Sequence, residues 1–140
     1  MPTRISNSDY VALAEIRYRI RSFLTFSEAA ARRVGVEPKQ HQLLLALRGL
    51  EKGDSPTVGR LAERLQIQPN SAVELVRRSV ENGLLVKRAV PGDRRVVHLE
   101  ITRRGESILE KLSQSHVTEL RSMAPALIRV MKRVVREDAQ

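Results

Sequence analysis

The 140-residue sequence has no cysteine and no tryptophan, only four Tyr and Phe residues, and no long apolar run. The missing thiol excludes disulfides, thiolate catalysis, cysteine-ligated zinc and thiol redox sensing together. No stretch approaches the ~18–20 apolar residues of a membrane span, and the N-terminus lacks the apolar core of a secretory signal. Acidic side chains are outnumbered, 16 Asp and Glu against 25 Lys and Arg. Seven glycines build no phosphate-cradling loop, and neither a Ser-His-Asp order nor a paired-carboxylate motif occurs. His41, His98 and His116 lie on separate segments without an i,i+4 pair or a carboxylate companion, so surface or capping roles are expected of them. The expectation is a protein with no catalytic residues, no metal and no cofactor.

What is present fits one soluble domain of ordinary size, 41% hydrophobic and 29% charged, expected in the cytoplasm and away from membranes. The net charge of +9 and a pI near 11 point to an acidic partner, with nucleic acid the leading class. An arginine-rich genome can raise the same number. The position of the charge separates the two readings: +5 of the +9 falls in residues 57–104.

Apolar periodicity divides the chain. Residues 8–34 carry Leu13, Ile16, Ile20, Phe23, Leu24 and Ala30 at helical spacing, with Gly35 as a stop. Pro38 opens a second helix over 38–50, and Thr57 caps a short one over 58–65. Pro69 stands in the first turn of a fourth, running to Asn82 before Gly83. Two short helices joined by a tight turn are a helix-turn-helix candidate. Residues 85–90 and 96–101 read as a hairpin around Pro91-Gly92-Asp93-Arg94, with Val97, Leu99 and Ile101 on one face. Thr102 caps a further helix, and Pro125 is expected to restart it, giving the order α-α-α-α-β-β-α-α.

The local words then become specific. Gln40-His41-x-x-Leu44-x-x-Leu47, Leu61-Ala62-Glu63-Arg64-Leu65 and Gly83-Leu84-Leu85 precede Asp93-Arg94-Arg95 and Leu99-x-Ile101-Thr102-x-x-Gly105. In this order and spacing the segment 40–105 resembles the MarR family of bacterial winged helix-turn-helix regulators. The resemblance implies a mainly α fold with a small β hairpin, a winged helix flanked by N- and C-terminal dimerisation helices. It sets residues 36–104 as the DNA-binding region and 1–35 and 105–140 as dimerisation helices of one 1–140 domain.

On the fourth helix, Ala72, Leu75, Val76 and Ser79 share the face expected to pack inward. Asn70 and Ser71, near its N-terminus, can read base edges or hold phosphate, while Arg77 and Arg78 suit phosphate or guanine. Each arginine can equally be a solvated charge; the helix as a whole favours duplex DNA. Glu74 departs from the family pattern: a carboxylate there repels phosphate unless it accepts from a cytosine N4 or pairs with Arg77 or Arg78 one turn on, and the ion pair, tying up one arginine, is the favoured expectation. Ser79 replaces a usual leucine, which suggests a lighter, wetter patch of core. In the hairpin, Lys87, Arg88, Arg94 and Arg95 face only Asp93 between residues 87 and 95. Such a tip suits a narrow minor groove, with Arg95 the first choice by resemblance and Arg94 the second. It also suits an edge hairpin charged against aggregation, and both can hold at once.

All four aromatics, Tyr10, Tyr18, Phe23 and Phe26, fall in the first helix, so the basic segment lacks a stacking platform for single strands. Beside Arg17 and Arg21, Tyr18 can hold a small aromatic acid, with His41 near the same pocket by resemblance; plain packing is the competing reading. The apolar stripes of the end helices exceed the chain available to cover them, which predicts a symmetric homodimer. Two reading heads then meet a pseudo-palindromic operator about 34–36 Å apart. By resemblance the function is transcription regulation, most often repression relieved by a small-molecule effector. A DNA-binding module governed by a protein partner or by abundance is the alternative.

Overall fold

The computed structural model describes residues 4–138, so both chain ends of the expected dimerisation helices lie outside the described residues. The elements are α1 (Asn7–Arg33), α2 (Pro38–Arg48), α3 (Val58–Leu65), α4 (Pro69–Glu81), β1 (Leu85–Val90), β2 (Asp93–Ile101) and α5 (Arg103–Asp138). The fold is mainly helical with one antiparallel hairpin, as the pattern of the sequence predicts. Two local expectations are corrected. Pro125 neither breaks nor restarts a helix but lies inside α5. It forfeits one backbone N–H, and its exposed ring stands on the outer side. The half-buried Met123 and Leu127 on either side, with Val130 beyond, keep one apolar stripe in phase through it. The second strand begins at Asp93 rather than at residue 96, because a bulge between Ala89 and Val90 brings Val90 opposite Asp93.

Residues 30–113 form one compact unit. Its core is filled by leucine: Leu43, Leu44, Leu61, Leu84, Leu85 and Leu112 are all fully buried. No Phe, Tyr or Trp occurs in this stretch of the sequence. Thr57 caps α3, its hydroxyl accepting from the Arg60 amide at 3.2 Å. The turn into α4 is made by Gln66 in the left-handed region, at φ +56°. Ala72, Leu75, Val76 and Ser79 of α4 are buried, as expected. The Ser79 hydroxyl donates to the Leu75 carbonyl at 2.8 Å, so the helix itself gives it a partner.

The hairpin is anchored at its base and free at its tip. Leu99 is buried and its amide donates to the Pro56 carbonyl at 2.8 Å. Val97, expected on the same covered face, is exposed, because it lies nearer the tip, where the strand has not yet reached the core. At the other end, the Thr102 hydroxyl donates to the Gly83 carbonyl at 2.6 Å and accepts from the Gly105 amide at 3.0 Å. A Cβ on Gly105 would collide with the Leu84 carbonyl oxygen and lie 2.7 Å from Ile101 Cγ2. This close approach fixes the start of α5 against the end of α4.

Residues up to 29 and from 114 form the second unit. Here His116 Nε2 lies 2.7 Å from the Ser27 hydroxyl, and its ring meets Phe23 and Phe26 edge-on. With His41 buried to 1% exposure in α2, surface roles are corrected for both histidines: each ring is packed. Large apolar side chains nevertheless stand exposed along both terminal helices, among them Leu13, Ile20 and Leu24 on α1 and Leu120, Ile128 and Met131 on α5. Among the described residues no helix is long and apolar enough to cross a membrane.

Candidate nucleic-acid interface

With its apolar side committed to the core, α4 turns Asn70, Ser71, Val73, Glu74 and Arg77 outward, all exposed, and Arg78 partly so. Pro69 occupies the first turn, and Gln68 before it is extended and provides no side-chain cap. The first-turn amides and the positive end of the helix dipole are thus left for an external acceptor. Asn70 and Ser71 stand at that end. They line a surface groove of about 340 Å³ with Lys39, Ile67, Glu74 and Arg78.

Charges on α4 are organised as a network. Arg77 grips Glu74 through Nε (3.0 Å) and Nη2, and its remaining terminal nitrogen pairs with Glu81. Arg78 Nε bonds Glu37, the residue that caps the start of α2, at 3.1 Å, and its side chain lies 3.9 Å from Glu74. Hydrogen bonds from Arg77 hold the Glu74 carboxyl below the ordinary carboxylate range, and the charges of Arg77 and Arg78 add to this. The same contacts push the Arg77 guanidinium up. The expected ion pair therefore forms, and it engages both arginines rather than one.

The wing differs. Gly92 makes the turn at φ +86°, and the Asp93 carboxylate accepts from the Arg95 amide at 3.0 Å, shaping the tip. Arg88 is drawn into a cross-strand pair with Glu100 at 2.5 Å. The side chains of Lys87, Arg94 and Arg95 are exposed and pair with no carboxylate among the described residues. Uncompensated charge is thus concentrated at the end of the hairpin.

The suggested ligand-holding residues are placed differently. Arg17, Tyr18 and Arg21 lie on the exposed surface of α1, Tyr18 at 59% exposure, whereas His41 is enclosed in α2. Sequence reasoning missed two contributors to the α4 surface. Lys39 lines its groove and Glu37 binds Arg78, both across tertiary contacts that spacing does not reveal. Val73, which the helical phase of α4 places on its outer face, is 55% exposed.

A MarR family profile matches residues 34–96, from the end of α1 to the rising strand of the wing. Over these residues the chain resembles the MarR family. The proteins it resembles are described as transcriptional regulators. It is 28% identical over 93 residues to the HTH-type transcriptional regulator MhqR of Bacillus subtilis (strain 168). That similarity covers 66% of this chain and 62% of MhqR, less than two thirds of the relative's length. The fold is similar to that of AbsC, a MarR family transcriptional regulator from Streptomyces coelicolor (TM-score 0.74, 17% identity, 99% of this chain and 96% of that one). It is also similar to a cysteine-to-serine mutant of MarR from E. coli complexed with operator DNA (TM-score 0.65, 18% identity, 94% and 99% covered). At such identities the likeness is one of fold. In the MarR frame, Asn70 through Arg78 lie on the second helix of the helix-turn-helix, and Arg88 through Arg95 on the wing.

Proposed function

We propose that this chain is a cytoplasmic, homodimeric repressor that binds a pseudo-palindromic duplex operator through α4 and the wing. The observation that carries the reading is the division of labour between the two elements. The outward face of α4 offers base-reading polar groups beside an uncapped helix start, while Arg94 and Arg95 project from the hairpin tip without described carboxylate partners. A helix presented by its N-terminal residues suits the major groove, and a thin cationic hairpin suits the minor groove beside it. Asn70, Ser71, Glu74, Arg77 and Arg78 then serve the helix, and Arg88, Asp93, Arg94 and Arg95 build the wing. The exposed apolar stripes of α1 and α5 supply the surface for a second copy.

Release by a small aromatic acid rests on Tyr18 standing exposed between Arg17 and Arg21, where a partner copy would have to complete the enclosure. The buried position of His41 favours the second reading, a module without an effector, because that ring offers no open edge to a ligand. Thermal shifts with aromatic carboxylates divide the two: stabilisation supports the effector, and none across a broad panel leaves the effector-free regulator. The DNA reading itself is tested by gel shift of duplex promoter fragments against single strands. Duplex preference is expected; no binding at low salt, or preference for single strands, overturns it.

A further inference from the structure

Asn70, Val73, Glu74 and Arg77 fall at i, i+3, i+4 and i+7 of α4, a single stripe opposite the buried face. Two of the four are unusual for a surface that would meet a polyanion. Val73 is a branched apolar side chain left 55% exposed. Glu74 is an acid, half exposed, in the middle of the stripe.

The Arg77 clamp changes what that acid can do. A carboxylate oxygen has two acceptor positions, and Arg77 takes one on each oxygen. The charge of Glu74 is thereby offset locally while acceptor capacity remains for an outside donor. Arg77 is itself shared with Glu81, and Arg78 is held by Glu37. The four charged residues of α4, Glu74, Arg77, Arg78 and Glu81, sum to zero. A helix so balanced is poorly suited to gripping phosphate and well suited to approaching base edges.

Resting on the reading of α4 as the major-groove helix, we propose that Glu74 reads a cytosine and Val73 an adjacent thymine. The Glu74 carboxylate accepts from the cytosine N4 amino group, and the Val73 methyls pack on the thymine 5-methyl. Cytosine is chosen by chemistry. Its major-groove edge presents a donor alone, whereas adenine sets the N7 acceptor beside its N6 donor, and guanine presents only acceptors. An unaccompanied acceptor such as a carboxylate is repelled by N7 and O6 but not by N4. Arg77 is here a positioning residue, fixing the carboxylate and screening it from the backbone phosphates.

Selection of bound duplexes from a random pool, with the full-length protein and with Glu74→Gln, tests this. The wild type should select one cytosine per half-site next to a thymine. Glu74→Gln should shift that position to adenine, whose N6 and N7 match an amide, and leave the other positions unchanged. In direct titrations, replacing the cytosine pair should cost the wild type about tenfold or more in affinity and Glu74→Ala almost nothing. Exchanging the thymine for uracil should weaken the wild type but not Val73→Ala. Thermal melts at the wild-type temperature keep these comparisons between folded proteins. Selection without a cytosine, or the same selected base in Glu74→Gln as in the wild type, overturns the assignment while duplex binding stands. Failure of the wild type to bind duplex at all removes the underlying reading of α4 instead.

Discussion

Arg77 and Arg95 carry the same guanidinium but differ in what already holds it. Arg77 spends its donors on Glu74 and Glu81, while the Arg95 side chain pairs with no described carboxylate. Removing one cation that neutralises a phosphate lowers the salt dependence of binding by about one unit of slope. Arg95→Ala should therefore weaken duplex binding across all sequences and flatten the salt slope by about 1, as read by anisotropy titrations at several salt concentrations. An unchanged slope would remove Arg95 from the phosphate or groove contacts. The Glu74 carboxyl carries its own pH sign. Its folded value lies below its ordinary 4.5, so its contribution to stability is present above that value and fades as pH falls through the folded one. NMR titration should show Glu74 protonating below 4.5, and the shift should shrink in Arg77→Ala, where only the Arg78 charge still favours the carboxylate. Spacing alone discloses the Glu74–Arg77 pair, one helical turn apart. It cannot disclose the Arg78–Glu37 bond, whose partners are 41 residues apart.

Elements are fixed here by contacts that look like motif letters. The threonine and glycine of Ile101-Thr102-x-x-Gly105 carry no chemistry for DNA: they tie Gly83 and Leu84 to the first turn of α5. Gly105→Ala forces a methyl against backbone, and overpacking of this kind costs about 1–3 kcal/mol. A lowered Tm by calorimetry is expected, with Gly59→Ala, which meets open space, as the harmless comparison. Gln66 presents the opposite case, a non-glycine residue at φ +56° in the turn of the helix-turn-helix. Gln66→Gly should raise stability by up to about 1 kcal/mol in chemical denaturation, since glycine adopts this region without a Cβ penalty. The turn was legible as a break between helices, but its left-handed residue was not, because no glycine announces it. Caps and stops, by contrast, were readable: Thr57, Gly83 and Pro69 mark boundaries within a residue or so of those observed. Pro125 misled because proline reports a local preference, whereas the stripe through Met123, Leu127 and Val130 reports a packing demand along the whole of α5.

For the whole molecule, the decisive quantity is how much apolar surface the terminal helices leave uncovered. Ile128 is 48% exposed, and Ile128→Glu would place a carboxylate in the proposed contact between copies. Sedimentation should then show a shift from dimer to monomer, with operator affinity lost through separation of the two half-site contacts and the wing unaltered. A wild type that sediments as a monomer at micromolar concentration would refute the dimer. The overall class was legible because the winged helix is local in sequence, each element adjoining the next from 38 to 101. The side chains proposed to face a second copy show in the sequence only as surplus hydrophobicity, since the partner proposed for them lies outside the chain. The confinement of every Tyr and Phe to α1 also decides how this protein can be observed. Near-ultraviolet dichroism and tyrosine emission report on the terminal helix alone, and the leucine-filled core of residues 30–113 is optically silent. A tyrosine signal that moves when duplex DNA is added would register an event on α1 rather than on α4, giving a label-free channel for communication along the chain.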